Sequence, residues 1–180
     1  MSIQDYVSSI FSTITLVSQV IFVFSLVIAL VNKALREKIW QFASNHVLKI
    51  LFLVSLTALI GSLSFSNIAG FYPCELCWFQ RIFMYPQAII LFAAMLKKDK
   101  NIVKYLLPLS VLGGLIAFYH SLTQWGFGSS LLGCTSAGGA CAKVYVLGYN
   151  YITIPFMAFS AFAYMITLSI IYLKSRKLVF

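Results

Sequence analysis

The sequence predicts an all-α polytopic membrane protein: a four-helix transmembrane bundle with an extra N-terminal transmembrane helix. Three observations carry this. Of 180 residues, 61% are hydrophobic and only 9% charged, against roughly 45–50% and 25% in soluble domains. Long stretches lack any charged side chain. The Lys and Arg residues gather on alternate connections between those stretches. A soluble fold of this length could not hide so much apolar surface, whereas a bilayer accepts it.

Taken in order, the first charge-free run, Tyr6–Asn32, is 27 residues long, and about 20 suffice to span the hydrocarbon core. Met1–Tyr6 holds no Lys or Arg, and the run is too long for a signal h-region, so it reads as a retained helix. The basic, amphipathic-looking stretch Lys33–Lys49 joins it to the rest. Ile50–Cys74 gives the second span with 25 residues. The third, about Trp78–Leu96, carries Arg81 in its first turn, from where a guanidinium reaches the interface. Tyr105 to about Leu122 gives the fourth, and Val144–Leu173, 30 residues, the fifth. Spans two to five have short loops of their own and read as one compact four-helix unit. The domain reading is therefore 1–46 for the N-terminal helix with its connector and 47–180 for the four-helix membrane domain.

Charge placement orients these spans. Lys33, Arg36, Lys38 and Lys49 lie between spans one and two, Lys97, Lys98, Lys100 and Lys104 between spans three and four, and Lys174, Arg176 and Lys177 after span five. Basic residues mark the cytoplasmic side. The N-terminus is then outside and the C-terminus in the cytoplasm. The net charge of +9 belongs to these juxtamembrane clusters. They form no basic face and no nucleic-acid motif, so the partner they imply is the lipid bilayer and not a nucleic acid.

All four cysteines fall on the opposite, extracytoplasmic side. Cys74 and Cys77 form C-E-L-C after span two, and Cys134 and Cys141 lie between spans four and five. An even number on an oxidising face points to disulfide chemistry. Two structural disulfides would satisfy the count. A four-cysteine zinc site fits the spacing of Cys134 and Cys141 loosely, and metal binding is not expected. Trp78, not His, follows Cys77, which disfavours haem attachment. Redox-active pairs are the reading the physics favours. Pro73 imposes an extended entry, and a helix beginning near Glu75–Trp78 puts Cys77 in its first turn, where the helix dipole favours a thiolate. Arg81, four residues on, shares that face. Its alternative role is an interfacial anchor to lipid phosphate.

The stretch Phe71–Pro86, with its C-x-L-C-x-x-Q-R…Y-P pattern, resembles the DsbB/BdbC family of bacterial disulfide-bond formation proteins. Tyr119-His120 at the end of span four, the pair Cys134 and Cys141, and Ile152-Thr153-Ile154-Pro155 opening span five follow in the family's order. The resemblance runs from about Val47 to the C-terminus. It implies a four-helix bundle in the bacterial cytoplasmic (inner) membrane that reoxidises a DsbA-like thioredoxin-fold protein and passes two electrons to a quinone, ubiquinone or menaquinone. It further implies that Cys74 and Cys77 are the quinone-proximal pair, Cys134 and Cys141 the partner-facing pair, and Arg81 and His120 quinone-site residues. Taken alone, His120 reads more readily as an interfacial hydrogen-bonding residue. The expected cycle begins with attack of the partner's thiolate on Cys134–Cys141, at Cys134, and ends with the Cys77 thiolate beside Arg81. The Gly- and Ser-rich loop Thr123–Gly133 would give the second pair the mobility for a shuttle. A VKOR-like quinone enzyme, which also combines C-x-x-C with loop cysteines, is the alternative enzyme class; a scaffold with two structural disulfides is the non-enzymatic one. The extra N-terminal span and the six residues between Cys134 and Cys141 depart from the four-helix pattern of Gram-negative members; the short second pair is closer to the BdbC type.

Overall fold

The computed structural model describes residues 2–127 and 141–177. Six α-helices follow in order: α1 (Ile3–Val31), α2 (Lys33–Asn45), α3 (Val47–Leu63), α4 (Glu75–Lys97), α5 (Val103–Gln124) and α6 (Ile154–Lys177). Five helical segments have the length and composition to cross a membrane; α2 is not among them. The fold is thus the all-α polytopic membrane protein the sequence predicts.

Local chemistry sets the helix ends. Ser2 and Asp5 form a capping box at the start of α1, satisfying two N–H groups that helix geometry leaves unpaired. Asn32 ends α1 and caps α2, its side chain accepting from the backbone N–H groups of Ala34 and Leu35. This sharp junction makes Lys33–Asn45 a helix of its own, and the end of the basic stretch, from Val47, already belongs to α3. α3 continues into a π-helical turn, Ser64–Ile68, and the chain leaves it through Gly70, whose φ of 71° suits a residue without a Cβ.

Two predicted spans are shorter than their charge-free runs. The second stops at Ile68 instead of Cys74, because Gly70 and Pro73 cannot continue a helix. The fifth begins at Ile154, not Val144. Residues 144–153 form turns, with Tyr149 and Asn150 at positive φ and a single bridge pairing Gly148 with Ile152. Pro155 then sits in the first turn of α6, where a missing N–H costs nothing.

The core of the bundle draws on α3 to α6, with Leu51, Leu91, Val103, Phe162 and Met165 essentially inaccessible. In a bilayer such association comes from close packing and interhelical hydrogen bonds, since lipid tails are as apolar as the side chains. Gly113 of α5 shows the closeness: a Cβ there would lie 2.3 Å from the Phe162 ring of α6. A buried polar link joins α4 to α5, where the Ser110 hydroxyl donates to Gln87 Oε1 at 2.8 Å.

The basic connections meet at one end of the bundle. Lys100 Nζ donates to the carbonyls of Ser44 and Asn45, Ser44 pairs with Ser175, and Arg176 donates to Asn101. Cys74 and Cys77 sit at the other end of α4, a helix of 23 residues and hence about 35 Å long at 1.5 Å per residue.

Candidate functional site

The site grows from the start of α4. Pro73 delivers an extended chain, and Cys74 becomes the N-cap residue, with φ −75° and ψ 175°. Its carbonyl accepts from Trp78 N–H at 3.1 Å, closing the first turn. Cys77 lies within that turn, so one helical turn brings the two sulfurs to 3.1 Å as free thiols in contact. This is the placement the C-x-x-C spacing predicts.

α5 supplies the next group. His120, 1% exposed, turns its Nε2 toward the Cys141 carbonyl oxygen at 3.1 Å and toward Cys74 Sγ at 3.6 Å. A carbonyl only accepts, so Nε2 carries the proton. Nδ1 then accepts, and the Gln80 amide, buried beside it on α4, donates to it at 2.9 Å. Gln80 therefore fixes the tautomer, and the N–H this leaves on Nε2 points at a sulfur of one cysteine pair and the backbone of the other. Cys141 itself is disulfide-bonded.

These contacts assign the thiolate. The hydrogen bond from the Cys77 thiol, and after it the one from His120, holds the Cys74 thiol down to about 4 against an ordinary 9.0, outweighing the cost of partial burial. The sequence reading placed the thiolate on Cys77 through the dipole and Arg81. The structure adds a group that sequence spacing does not show: the His120 N–H faces Cys74 Sγ at 3.6 Å and favours a thiolate there.

Arg81 lies one turn beyond Cys77. Its guanidinium donates to the Ser62 carbonyl at 3.3 Å and stacks on Trp78, 5.1 Å from the ring centre. Tyr85 donates to the Ser62 hydroxyl at 3.0 Å. Cys74, Cys77, Gln80, Arg81 and His120 all border one cavity of about 300 Å³, whose remaining walls are largely apolar. Phe65, Phe71 and Tyr145 stack in succession beside it, and Lys143 caps the Tyr145 ring at 4.8 Å. A flat, apolar molecule with polar ring substituents matches such a cavity, where a few convergent polar groups orient a ligand within an apolar enclosure.

Among the described residues, one set could serve metal chemistry. The ligand atoms of Cys74, Cys77 and His120 lie within 4.8 Å of one another, a grouping suited to a thiophilic ion. The four-cysteine zinc arrangement fails, because a disulfide-bonded Cys141 offers no thiolate.

The structure thus brings together Cys74, Cys77, Arg81 and His120, with the Cys141 backbone. Cys134 and most of the loop Thr123–Gly133 lie outside the described residues; Thr123 and Gln124 belong to α5. Sequence reasoning quoted Gln80 within its motif and gave it no role. Its spacing of three from Cys77, hence one helix face, was the available signal. Ser62, whose carbonyl and hydroxyl hold Arg81 and Tyr85, had no local signal at all.

Comparisons with known proteins agree on one family. The model of the family described as "Disulfide bond formation protein DsbB" matches residues 44–172. Disulfide bond formation protein C of Bacillus subtilis (strain 168) is 44% identical over 109 residues, covering 61% of this chain and 79% of that protein. A probable disulfide formation protein C of Halalkalibacterium halodurans is 40% identical over 129 residues, 69% of this chain and 90% of the relative. A probable disulfide formation protein of Deinococcus radiodurans is 44% identical over 124 residues, 64% and 81% respectively. No solved structure matches the chain significantly.

Proposed function

The chain belongs to the DsbB family of disulfide bond formation proteins, and from that premise we propose that it is a membrane thiol:quinone oxidoreductase that reoxidises a DsbA-like thioredoxin-fold protein. The observation that carries the reading is the meeting of three elements: the Cys74–Cys77 dithiol, the His120 N–H shared between Cys74 and the Cys141 carbonyl, and the apolar cavity bordered by Arg81.

In this reading the partner's thiolate attacks Cys134, releases Cys141 and leaves oxidised. The dithiol so formed exchanges with the oxidised Cys74–Cys77 pair, which becomes the reduced pair of this structure. His120 keeps the Cys141 backbone beside Cys74, the geometry that exchange between pairs requires. Cys77 then surrenders its thiol proton, and the two sulfurs close a disulfide. A quinone bound in the cavity would accept the two electrons that the closure releases, together with the Cys77 proton and a second proton drawn from solvent. Arg81, planar and multi-donor, is suited to a polar ring substituent, and His120 N–H to another. In this reading the cysteines face the extracytoplasmic side of the bacterial cytoplasmic membrane, with the N-terminus outside and the C-terminus inside.

The test is steady-state oxidation of a reduced thioredoxin-fold protein at varied quinone. Arg81→Met is expected to raise the KM for quinone and leave that for the protein substrate unchanged; equal quinone dependence in both proteins would remove Arg81 from the site. Cys141→Ser should trap a mixed disulfide through Cys134, and trapping only through Cys74 or Cys77 would reverse the two pairs. Reporter fusions after Asn101 and at the C-terminus should read cytoplasmic, and one near Ser130 external.

A further inference from the structure

We propose that α1 is a wall of the quinone site, a part of the binding surface that the matched family region does not contain. This rests on the quinone reading above. The family match begins at residue 44, so α1 and α2 are additions to it.

The cavity at the cysteines takes its sides from α3, α4, the start of α6 and α1. The α1 contribution is Phe11, Ile14, Thr15 and Ser18. Their spacing of three, four and seven places them on one face of a helix, so α1 turns a continuous strip toward the cavity. Most of its other large apolar side chains are exposed, as on a helix facing lipid: Val20, Ile21, Val23, Phe24, Leu30 and Val31 are all more than half accessible.

The strip is held in register. Gln4 donates to the Ala69 carbonyl at 2.9 Å, just before the Cys74 entry. Phe11 packs on Phe65, ring centres 5.4 Å apart, and its ring edge would lie 3.1 Å from a Cβ at Gly61 of α3. Further along, Ser18 pairs with Tyr164 at 3.1 Å, and Gln19 donates to Ser160 at 2.9 Å while accepting from Tyr151. Polar bonds of this kind lock one helix against another in a bilayer. They fix the height of Ile14 and Thr15 beside the cavity that Cys77 and Arg81 border from α4. Without α1, that side of the cavity would face lipid. With it, the width between α1 and α3 limits which quinone rings and tails reach the dithiol, and Ile14 is the side chain best placed to set that width.

The test uses the full chain in membranes and a photoreactive azidoquinone with a short isoprenoid tail. Illumination should attach the probe to the tryptic peptide ending at Lys33 as well as to the peptide carrying Cys77 and Arg81, and unmodified quinone should compete for both. In parallel, Ile14→Trp should raise the KM for quinone severalfold with the KM for the reduced thioredoxin-fold protein unchanged. Ile21→Trp, two turns further along α1, exposed and outside the cavity, should change neither. Labelling confined to the α3 and α4 peptides, with Ile14→Trp and Ile21→Trp behaving alike, would overturn the wall while leaving the quinone reading intact. Turnover independent of quinone, with no labelled peptide, would overturn both. Labelling of the unsubstituted chain decides the matter even if Ile14→Trp fails to insert.

Discussion

The four-helix unit and α1 border the same cavity, yet different forces hold them. α3 to α6 approach one another closely, with glycine against aromatic ring and a core of inaccessible aliphatic side chains. α1 adds to the packing of Val7 and Phe11 around Phe65 and of Phe22 on Tyr164 a row of side-chain hydrogen bonds from Gln4, Thr13, Ser18 and Gln19, and much of its outer surface is exposed. In a membrane, packing of the first kind depends on shape at every contact, whereas bonds of the second kind contribute separately and modestly. Among the described residues, the side chains proposed for the redox chemistry, Cys74, Cys77, Arg81 and His120, belong to α4 with its N-cap and to α5. α1 can therefore tune the site without carrying the reaction.

The contrast breaks most visibly at the dithiol. Cys74→Ser removes a sulfur that the oxidation cannot do without, so turnover should fall to background while the protein still inserts and α1 stays docked. Residual turnover in this variant would mean that electrons leave by a route that bypasses Cys74–Cys77. No single substitution in α1 should do the same.

Packing gives the next effect. In Gly113→Ala, the new methyl would overlap the Phe162 ring, so either that ring or the two helices must shift. Overpacking of this kind costs about 1–3 kcal/mol. Thermal unfolding in detergent should register it, and Phe162→Leu in the same chain should recover part of the loss. A neutral Gly113→Ala would mean that the helices yield more than the contrast allows.

The depressed Cys74 thiol sharpens the comparison without touching packing. Its thiolate is present above about pH 4 and lost as the pH falls through that value. Alkylation of the reduced protein should keep a fast thiol down to that pH, and Cys141, being disulfide-bonded, does not contribute. Removing the larger cause with Cys77→Ala should move the titration well up toward 9.0, and His120→Ala should move it less. With the pKa raised, less Cys74 thiolate is present near neutral pH. A larger shift in His120→Ala than in Cys77→Ala would invert the order of causes.

What was legible in the sequence follows the same division. Spans, the helix start at Glu75, and the C-x-x-C juxtaposition are local consequences of composition and 3.6-residue spacing. The ends of spans two and five were overstated, because a run without charge does not reveal the turns at Gly70 and at Tyr149–Asn150. Arg81 and His120 were found through a motif, but their partners were not. Ser62 reaches Arg81 across 19 residues and Gln80 reaches His120 across 40, and such pairings depend on how α3, α4 and α5 pack. The same holds for the thiolate: the dipole and Arg81, which favour it on Cys77, are visible along one helix, whereas the N–H that favours Cys74 comes from another. The docking of α1 was hidden in the same way, although the spacing of Phe11, Ile14, Thr15 and Ser18 was present in the sequence.

The smallest effect is expected at the attachment of α1, and it is the one that best separates the two kinds of association. Gln19 makes two bonds to the bundle region, donating to the Ser160 hydroxyl and accepting from the Tyr151 hydroxyl, each at 2.9 Å. Gln19→Leu keeps a similar volume and removes both. Interhelical hydrogen bonds in membranes contribute about 0.6 kcal/mol each on average and at most about 1.7, so the loss should be about 1 kcal/mol. Ser160 still has the Phe156 carbonyl to donate to, and Tyr151 lies near the end of the bundle where water reaches, so neither hydroxyl is stranded. The expected result is a small fall in thermal stability, faster proteolysis in the segment joining α1 to α2, and an unchanged rate of partner oxidation at saturating quinone. Ser18→Ala, which loses the contact with Tyr164, should behave alike and add to Gln19→Leu only in part, since the two residues are adjacent and both bond to α6. A loss as large as that of Gly113→Ala would show that α1 is as much a part of the packed core as α3 to α6, and the division between a packed catalytic bundle and a bonded wall would fall.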